Sequence, residues 1–94
     1  MPQMDAKRAE KISRALSDPT RLKILDEIRK KSECLYCIEL YDNIKLAQPS
    51  ISHHLKQLTE TAIILSQKEG RNIKYTLNNE VIDEYIGFLQ ALKK

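Results

Sequence analysis

Residues 47–58 read Ala47-Gln48-Pro49-Ser50-Ile51-Ser52-His53-His54-Leu55-Lys56-Gln57-Leu58. Ile51, Leu55 and Leu58 recur at steps of four and three, which predicts a helix with one apolar stripe. The opposite face carries Gln48, Ser50, Ser52, His53, Lys56 and Gln57, and no carboxylate appears before Glu60. Hydroxyls, amides, an imidazole and an ammonium donate hydrogen bonds to phosphates and base edges without repelling them. A helix face made only for water mixes acids with bases. This one is suited to being laid against an anion-rich surface.

The segments that follow extend the pattern. Ile63 to Glu69 is strand-like, Gly70-Arg71-Asn72 is a turn, and Ile73-Lys74-Tyr75-Thr76-Leu77 alternates, with Ile73, Tyr75 and Leu77 on one face. A helix followed directly by a hairpin with a basic tip is the order of a winged helix-turn-helix. The competing reading is a small α+β domain whose polar helix merely faces water.

Upstream, Met4 to Leu16 reads as a helix with Ala6, Ala9, Ile12 and Leu16 on one stripe. Ser17-Asp18-Pro19 ends it and starts a second helix, with Asp18 as N-cap and Pro19 at the first helical position. The second helix runs to about Lys31 and is expected to bury Leu22, Ile24, Leu25 and Ile28. A short third helix is expected over residues 35–43, a turn over 44–47, and the helix quoted above to about Thr61. A last helix, capped by Asn78 or Asn79, covers Glu80 to Leu92. The fold class is therefore mainly α with a β-hairpin wing, in the order α-α-α-α-β-β-α, as one domain over residues 1–94. The last helix carries Val81, Ile82, Tyr85, Ile86, Phe88, Leu89 and Leu92, an apolar stripe wide for a terminal helix of a 94-residue chain. It either only covers the domain's own core or, the reading placed ahead, predicts a homodimer with Ile82, Tyr85, Ile86 and Leu89 at the interface.

Length and charge agree with this. Ninety-four residues bury a modest share of their surface, which favours further burial between copies. The formal net charge is +3, unevenly spread. Residues 45–79 hold five bases against two acids, whereas residues 32–44 hold three acids and no base. A basic helix and hairpin fit a nucleic-acid partner. The longest apolar run, Ala62 to Leu65, is far below a membrane span. With no secretory signal read at the N-terminus, the two cysteines point to a reducing cytoplasm.

The chain resembles the ArsR/SmtB family of small bacterial and archaeal repressors over nearly its whole length. The resemblance rests on Ala15-Leu16-Ser17-Asp18-Pro19-Thr20-Arg21-Leu22-Lys23-Ile24-Leu25, on Gln48 to Leu55, and on Lys68-Glu69-Gly70-Arg71-Asn72-Ile73-Lys74-Tyr75. It implies a homodimer whose interface the terminal helices form, which adds Ile12 of the first helix to it. The dimer would hold two reading helices in successive major grooves of an inverted-repeat operator, roughly 34 Å apart, and an inducer would release it. By position, Gln48, Ser50, Ser52 and His53 would face bases or nearby phosphates and Lys56 a phosphate. Arg71 at the hairpin tip would reach the backbone or minor groove, supported by Lys68 and Lys74. His54 either joins that face or instead packs inward or caps. The family often has Ser before the Gln-Pro pair, where this chain has Ala47, a poorer cap.

Cys34 and Cys37 are the only cysteines. In metal-sensing relatives the third helix carries a Glu-Leu-Cys-Val-Cys-Asp-Leu box. Counting back from Gln48, the two cysteines of that box fall on Tyr36 and Ile38, out of register with this pair. Two thiols per subunit are also few for a soft metal ion, and tetrahedral zinc takes four ligands. Residues one helical turn apart are within disulfide reach, and a thiol at a helix N-terminus is more reactive. The pair is read as a candidate thiol switch, with a soft metal site and inert core cysteines as alternatives.

Three function classes follow. The first is a sequence-specific DNA-binding repressor released by a thiol-reactive or metal signal. The second is a winged-helix protein-interaction module without operator binding. The third, a thiol oxidoreductase, needs its C-x-x-C in a βαβ setting that this chain lacks. With no nucleophile–base pair, phosphate-binding glycine loop or carboxylate dyad in the sequence, no enzyme is expected.

Overall fold

The quoted stretch forms the helix expected of it. In the computed structural model, which describes residues 4–31, 34–36, 44 and 48–93, helix α3 spans Gln48–Glu60. Ile51, Leu55 and Leu58 are all buried. They meet helices α1 (Ala6–Leu16) and α2 (Pro19–Lys30) in one hydrophobic core.

Both of these helices begin on an aspartate. The Asp5 carboxylate accepts the Arg8 N–H at 2.7 Å, and Asp18 accepts those of Thr20 at 2.8 Å and Arg21 at 3.2 Å. These bonds satisfy N–H groups that have no partner inside the helix. α1 buries Ala9, Ile12 and Ala15. α2 buries Ile24 and Ile28, with Leu25 half-buried. Leu22, expected inside, is 50% exposed. The inward face of α2 is set by the Ile24–Ile28 spacing, and Leu22 falls to its side.

Strand β1 (Cys34–Tyr36) follows, where the sequence suggested a third helix beginning at Leu35. β1 pairs antiparallel with a later strand, which requires extended backbone and excludes a helix start there. Residues 37–43 and 45–47 of the expected third helix and turn lie outside the described residues. Ile44 between them is buried.

α3 ends on a left-handed residue. Ala62 has φ of +63° and its N–H donates to the Thr59 carbonyl at 3.0 Å. The buried Thr61 hydroxyl donates to the Leu58 carbonyl at 2.8 Å and accepts the Ile63 N–H at 3.3 Å. The chain thus turns directly into β2 (Ile64–Glu69), which pairs antiparallel with β3 (Asn72–Leu77). Glu69 pairs with Asn72, so the loop is only Gly70-Arg71, one residue shorter than the sequence suggested. Gly70 has φ of +60° and Arg71 does not share it, the pattern of a type II′ turn.

β3 is the central strand of a three-stranded sheet, in the order β1-β3-β2. Cys34, Leu35 and Tyr36 oppose Thr76, Tyr75 and Lys74 in backbone register. Ile64 and Tyr75 are buried and Leu77 half-buried, whereas Ile73, on the same face, is exposed near the tip. The fold is a winged helix-turn-helix whose wing gains a third strand from β1.

Asn78 caps helix α4 (Asn79–Ala91) by accepting the Val81 N–H at 3.4 Å, while its own N–H donates to the Ile63 carbonyl at 2.9 Å. Val81 is buried, and Ile82, Tyr85 and Phe88 pack on the core. The Tyr85 hydroxyl lies 2.7 Å from Ser13 Oγ, joining α4 to α1. Ile86 and Leu89 remain 45% exposed and Leu92 66% exposed. No helix among the described residues is long and apolar enough to cross a membrane.

Candidate nucleic-acid interface

The buried stripe of α3 fixes which side chains face outward. Ser50, Ser52, His53 and Lys56 are all exposed, and Gln57 is half-buried at one margin. Gln48 opens the helix, but its side chain lies outside the described residues. No acidic residue stands in the first turn. The outward face therefore offers hydroxyl, imidazole and ammonium groups beside the partly positive end of the helix, a setting that favours anions.

His54 turns away from this face. Its Nδ1 lies 3.3 Å from Arg21 Nη1. Arg21 also donates from Nε to the Ala15 carbonyl at 2.6 Å and from Nη2 to the Arg14 carbonyl at 3.1 Å. One guanidinium thus reaches two carbonyls at the end of α1, of which that of Arg14 also accepts from Ser17, and holds α3 from behind. With the guanidinium as donor, His54 Nδ1 is the acceptor. Reading the sequence alone missed Arg21 in this role. The available signal was an arginine one turn into α2, close to helix-terminal carbonyls that need donors.

Beneath Arg21 lies Asp18. Partial burial pushes its carboxyl up, but the N–H groups of Arg21 and Thr20, and then the neighbouring His54 and Arg21, outweigh this and hold it below the usual carboxylate value. Asp26 is also held low, mainly by its hydrogen bond with Arg29 and then with Lys30.

On the wing, Lys68 and Arg71 are exposed, and Arg71 occupies the second turn position beside Gly70. Lys74 is half-buried and bridges to Glu69 at 3.2 Å, so part of its charge is spent within the hairpin.

Cys34 is not placed in a helical turn. Cys34 begins β1, so neither an activating helix N-terminus nor the one-turn spacing applies to it. Its side chain, and all of Cys37, lie outside the described residues. Among the described residues no group of three His, Cys, Asp or Glu is placed to hold a metal ion. The expected dimer contacts also divide. Ile82 and Tyr85 are half-buried and Ile86 and Leu89 exposed, but Ile12 is 0% exposed within its own chain. Ile12 has no surface left to offer a second copy and is a core residue instead.

A winged helix-turn-helix whose α3 shows no acid on its outward face before Glu60, with a basic wing tip, has the surface of a nucleic-acid-binding protein. The sequence profile of the arsR family of bacterial regulatory proteins matches residues 18–64. An arsenical resistance operon repressor of Staphylococcus xylosus is 35% identical over 80 residues, covering 85% of this chain and 75% of that protein. The transcriptional repressor SdpR of Bacillus subtilis is 35% identical over 78 residues, covering 83% and 84%. The structure of an ArsR-like transcriptional regulator from Rhodococcus superposes with a TM-score of 0.80 at 25% identity, over 92% of this chain and 79% of that one. The chain belongs to the arsR family: it is a DNA-binding regulator of transcription and not an enzyme.

Proposed function

We propose that the chain acts as a homodimeric repressor. α3 of each copy lies in the major groove, and the wing tip touches the backbone. The observation that carries this reading is the outward face of α3, exposed and free of acids through Gln57 while its opposite face is wholly buried. Ser50, Ser52 and His53, with Gln48 at the helix start, read base edges or nearby phosphates. Lys56, Lys68 and Arg71 neutralise phosphates, and Lys74 braces the wing through Glu69. Ile86 and Leu89 of α4, flanked by Ile82 and Tyr85, meet the same residues of a second copy. The pairing sets the two copies of α3 on an inverted repeat, about 34 Å apart. The whole of residues 1–94 serves as one such unit. Repression is the activity named for the Staphylococcus and Bacillus relatives.

Release by a thiol-reactive signal at Cys34 and Cys37 completes the proposal. Its support is the pairing of β1 with β3, which links the backbone of Cys34 to the central strand of the wing.

The test is quantitative binding of reduced protein to the DNA upstream of its own gene, repeated after mild oxidation and with zinc, cadmium or arsenite. Tight binding lost on oxidation, and retained in Cys34→Ser and Cys37→Ser proteins, is expected. Loss only with one metal would replace the thiol signal by a metal signal. Failure to bind this DNA, followed by failure to enrich any duplex from a random pool, would sink the repressor reading.

A further inference from the structure

α1 presents its two flanks to different neighbours. Ser13 joins one flank to Tyr85 of α4. On the other, Lys7, Lys11 and Arg14 recur at steps of four and three and form an exposed basic stripe. A cleft of about 280 Å³ separates this stripe from the C-terminal half of α3, lined by Lys11, Arg14, Arg21, Gln57, Glu60 and Thr61. Gln57 stands one turn beyond His53 and two beyond Ser50, so the cleft continues the outward face of α3 without a break.

The charges in the cleft are three cations and one carboxylate. Arg21 is committed to two carbonyls and His54, so it contributes field rather than free donors. Arg14 pairs with Glu10 at 2.9 Å, but both side chains are largely exposed, and such pairs are weak and easily exchanged. Lys11 is exposed at the mouth of the cleft. The stripe from Lys7 to Arg14 is roughly 10 Å long, enough to follow two or three phosphates of one DNA strand at about 3.4 Å each along the axis.

We infer that α1 is a second backbone clamp: the strand beside the reading helix passes over the cleft, with phosphates on Lys11 and Arg14 and with Lys7 extending the track. The inference rests on the DNA-binding reading of α3 and adds a surface to it. Because α4 occupies the opposite flank of α1, dimerisation through α4 leaves the basic stripe open. These contacts touch only phosphates, so they add affinity for any sequence and none of the choice between sequences. Glu60, at the edge of the same cleft, works against the clamp.

The test measures binding to a random-sequence duplex and to the DNA upstream of the gene across a range of salt. It compares the unaltered chain with Lys11→Gln/Arg14→Gln, Glu60→Gln and Arg71→Ala. Each lost phosphate contact flattens the slope of log K against log salt by about 0.9. The double variant should therefore flatten it by nearly 2 for each subunit bound, on both DNAs, with their affinity ratio unchanged. Glu60→Gln should bind roughly two- to three-fold more tightly at low salt. The altered side chains are exposed, and unchanged helical circular dichroism and melting confirm folded protein. An unchanged slope in the double variant, while Arg71→Ala flattens it, would overturn the clamp and leave the DNA-binding reading standing. Absence of salt-dependent binding in every protein would overturn both.

Discussion

Two helices of this chain expose faces that are unusual in opposite ways. The outward side of α3 is polar but holds no acid before Glu60. That of α4 is apolar, with Ile86, Leu89 and Leu92 in solvent. Neither composition suits a helix whose outer face meets only water, where apolar groups are costly and acids and bases alternate. The difference lies in what would relieve each face. The first lacks an anionic partner rich in acceptors, and the second lacks apolar surface. The two also differ in support. α3 is held from behind by Arg21 through His54, whereas the outer stripe of α4 has no described neighbour of its own.

The largest effect should come from breaking the apolar side. Ile86→Asp with Leu89→Asp places charges on the α4 stripe without touching the core, since both side chains are exposed in one chain. The protein should remain folded but monomeric by analytical ultracentrifugation. Losing the second half-site contact should weaken operator binding on the order of 10²- to 10⁴-fold. A double variant that stays dimeric would move the interface away from α4.

Next in size is the inner side of α3. Leu58 is fully buried, and Leu58→Ala removes its packing at a cost of about 2–5 kcal/mol, read as a fall in the urea midpoint. On the outer side of the same helix, His53→Ala should leave the midpoint nearly unchanged. Its effect should appear as about 1–3 kcal/mol less discrimination between operator and mismatched DNA. If His53→Ala destabilised the fold while discrimination held, the inner and outer assignments of α3 would be exchanged.

Much of this contrast is legible in the sequence. Ile51, Leu55 and Leu58 place α3 by spacing alone, and Asp18-Pro19 and Asn78 mark helix starts by their chemistry. What escaped the sequence depends on distant partners. Cys34-Leu35-Tyr36 joins β3 some forty residues away, and a three-residue strand has too few positions for alternation to register. Leu22 looks like core because apolar residues cluster around it, yet only the Ile24–Ile28 side of α2 meets α3. Ile12 looked available to a second copy because its helix is terminal, although the chain's own core covers it. Arg21 reads as a surface charge until the end of α1 is folded against it.

A smaller effect tests the support behind the polar face. Asp18 is held below its usual value, so the folded state binds its proton less readily than the unfolded chain does. Its contribution is complete above the unfolded carboxylate value of about 3.9. It is lost as pH falls through the lower folded value. Asp18→Asn keeps a good cap and removes this titration. At neutral pH the unaltered protein should melt above Asp18→Asn, and this advantage should shrink only on the acid side as the carboxylate takes up its proton. A gap that widened towards low pH would contradict the assignment. The α4 stripe, with no titrating group among Ile86, Leu89 and Leu92, should show no matching dependence.

The smallest effect concerns the junction where α3 turns into the wing. Ala62 holds φ of +63°, a conformation costing an L-residue roughly 1–2 kcal/mol that glycine avoids. Ala62→Gly relieves this strain. It also loosens the unfolded chain by about 0.4–1 kcal/mol and removes a methyl that is half-buried against the core. The relief and the losses are of similar size, so the net gain should be no more than about 0.5 kcal/mol. It would be read as a small rise in urea midpoint at constant slope. DNA discrimination should not change, because Thr61 still anchors the turn to the Leu58 carbonyl and the Ile63 N–H. If stability rose but discrimination fell, the strained turn would be setting the angle between α3 and the wing, and the polar face would depend on its C-terminal hinge as well as on Arg21.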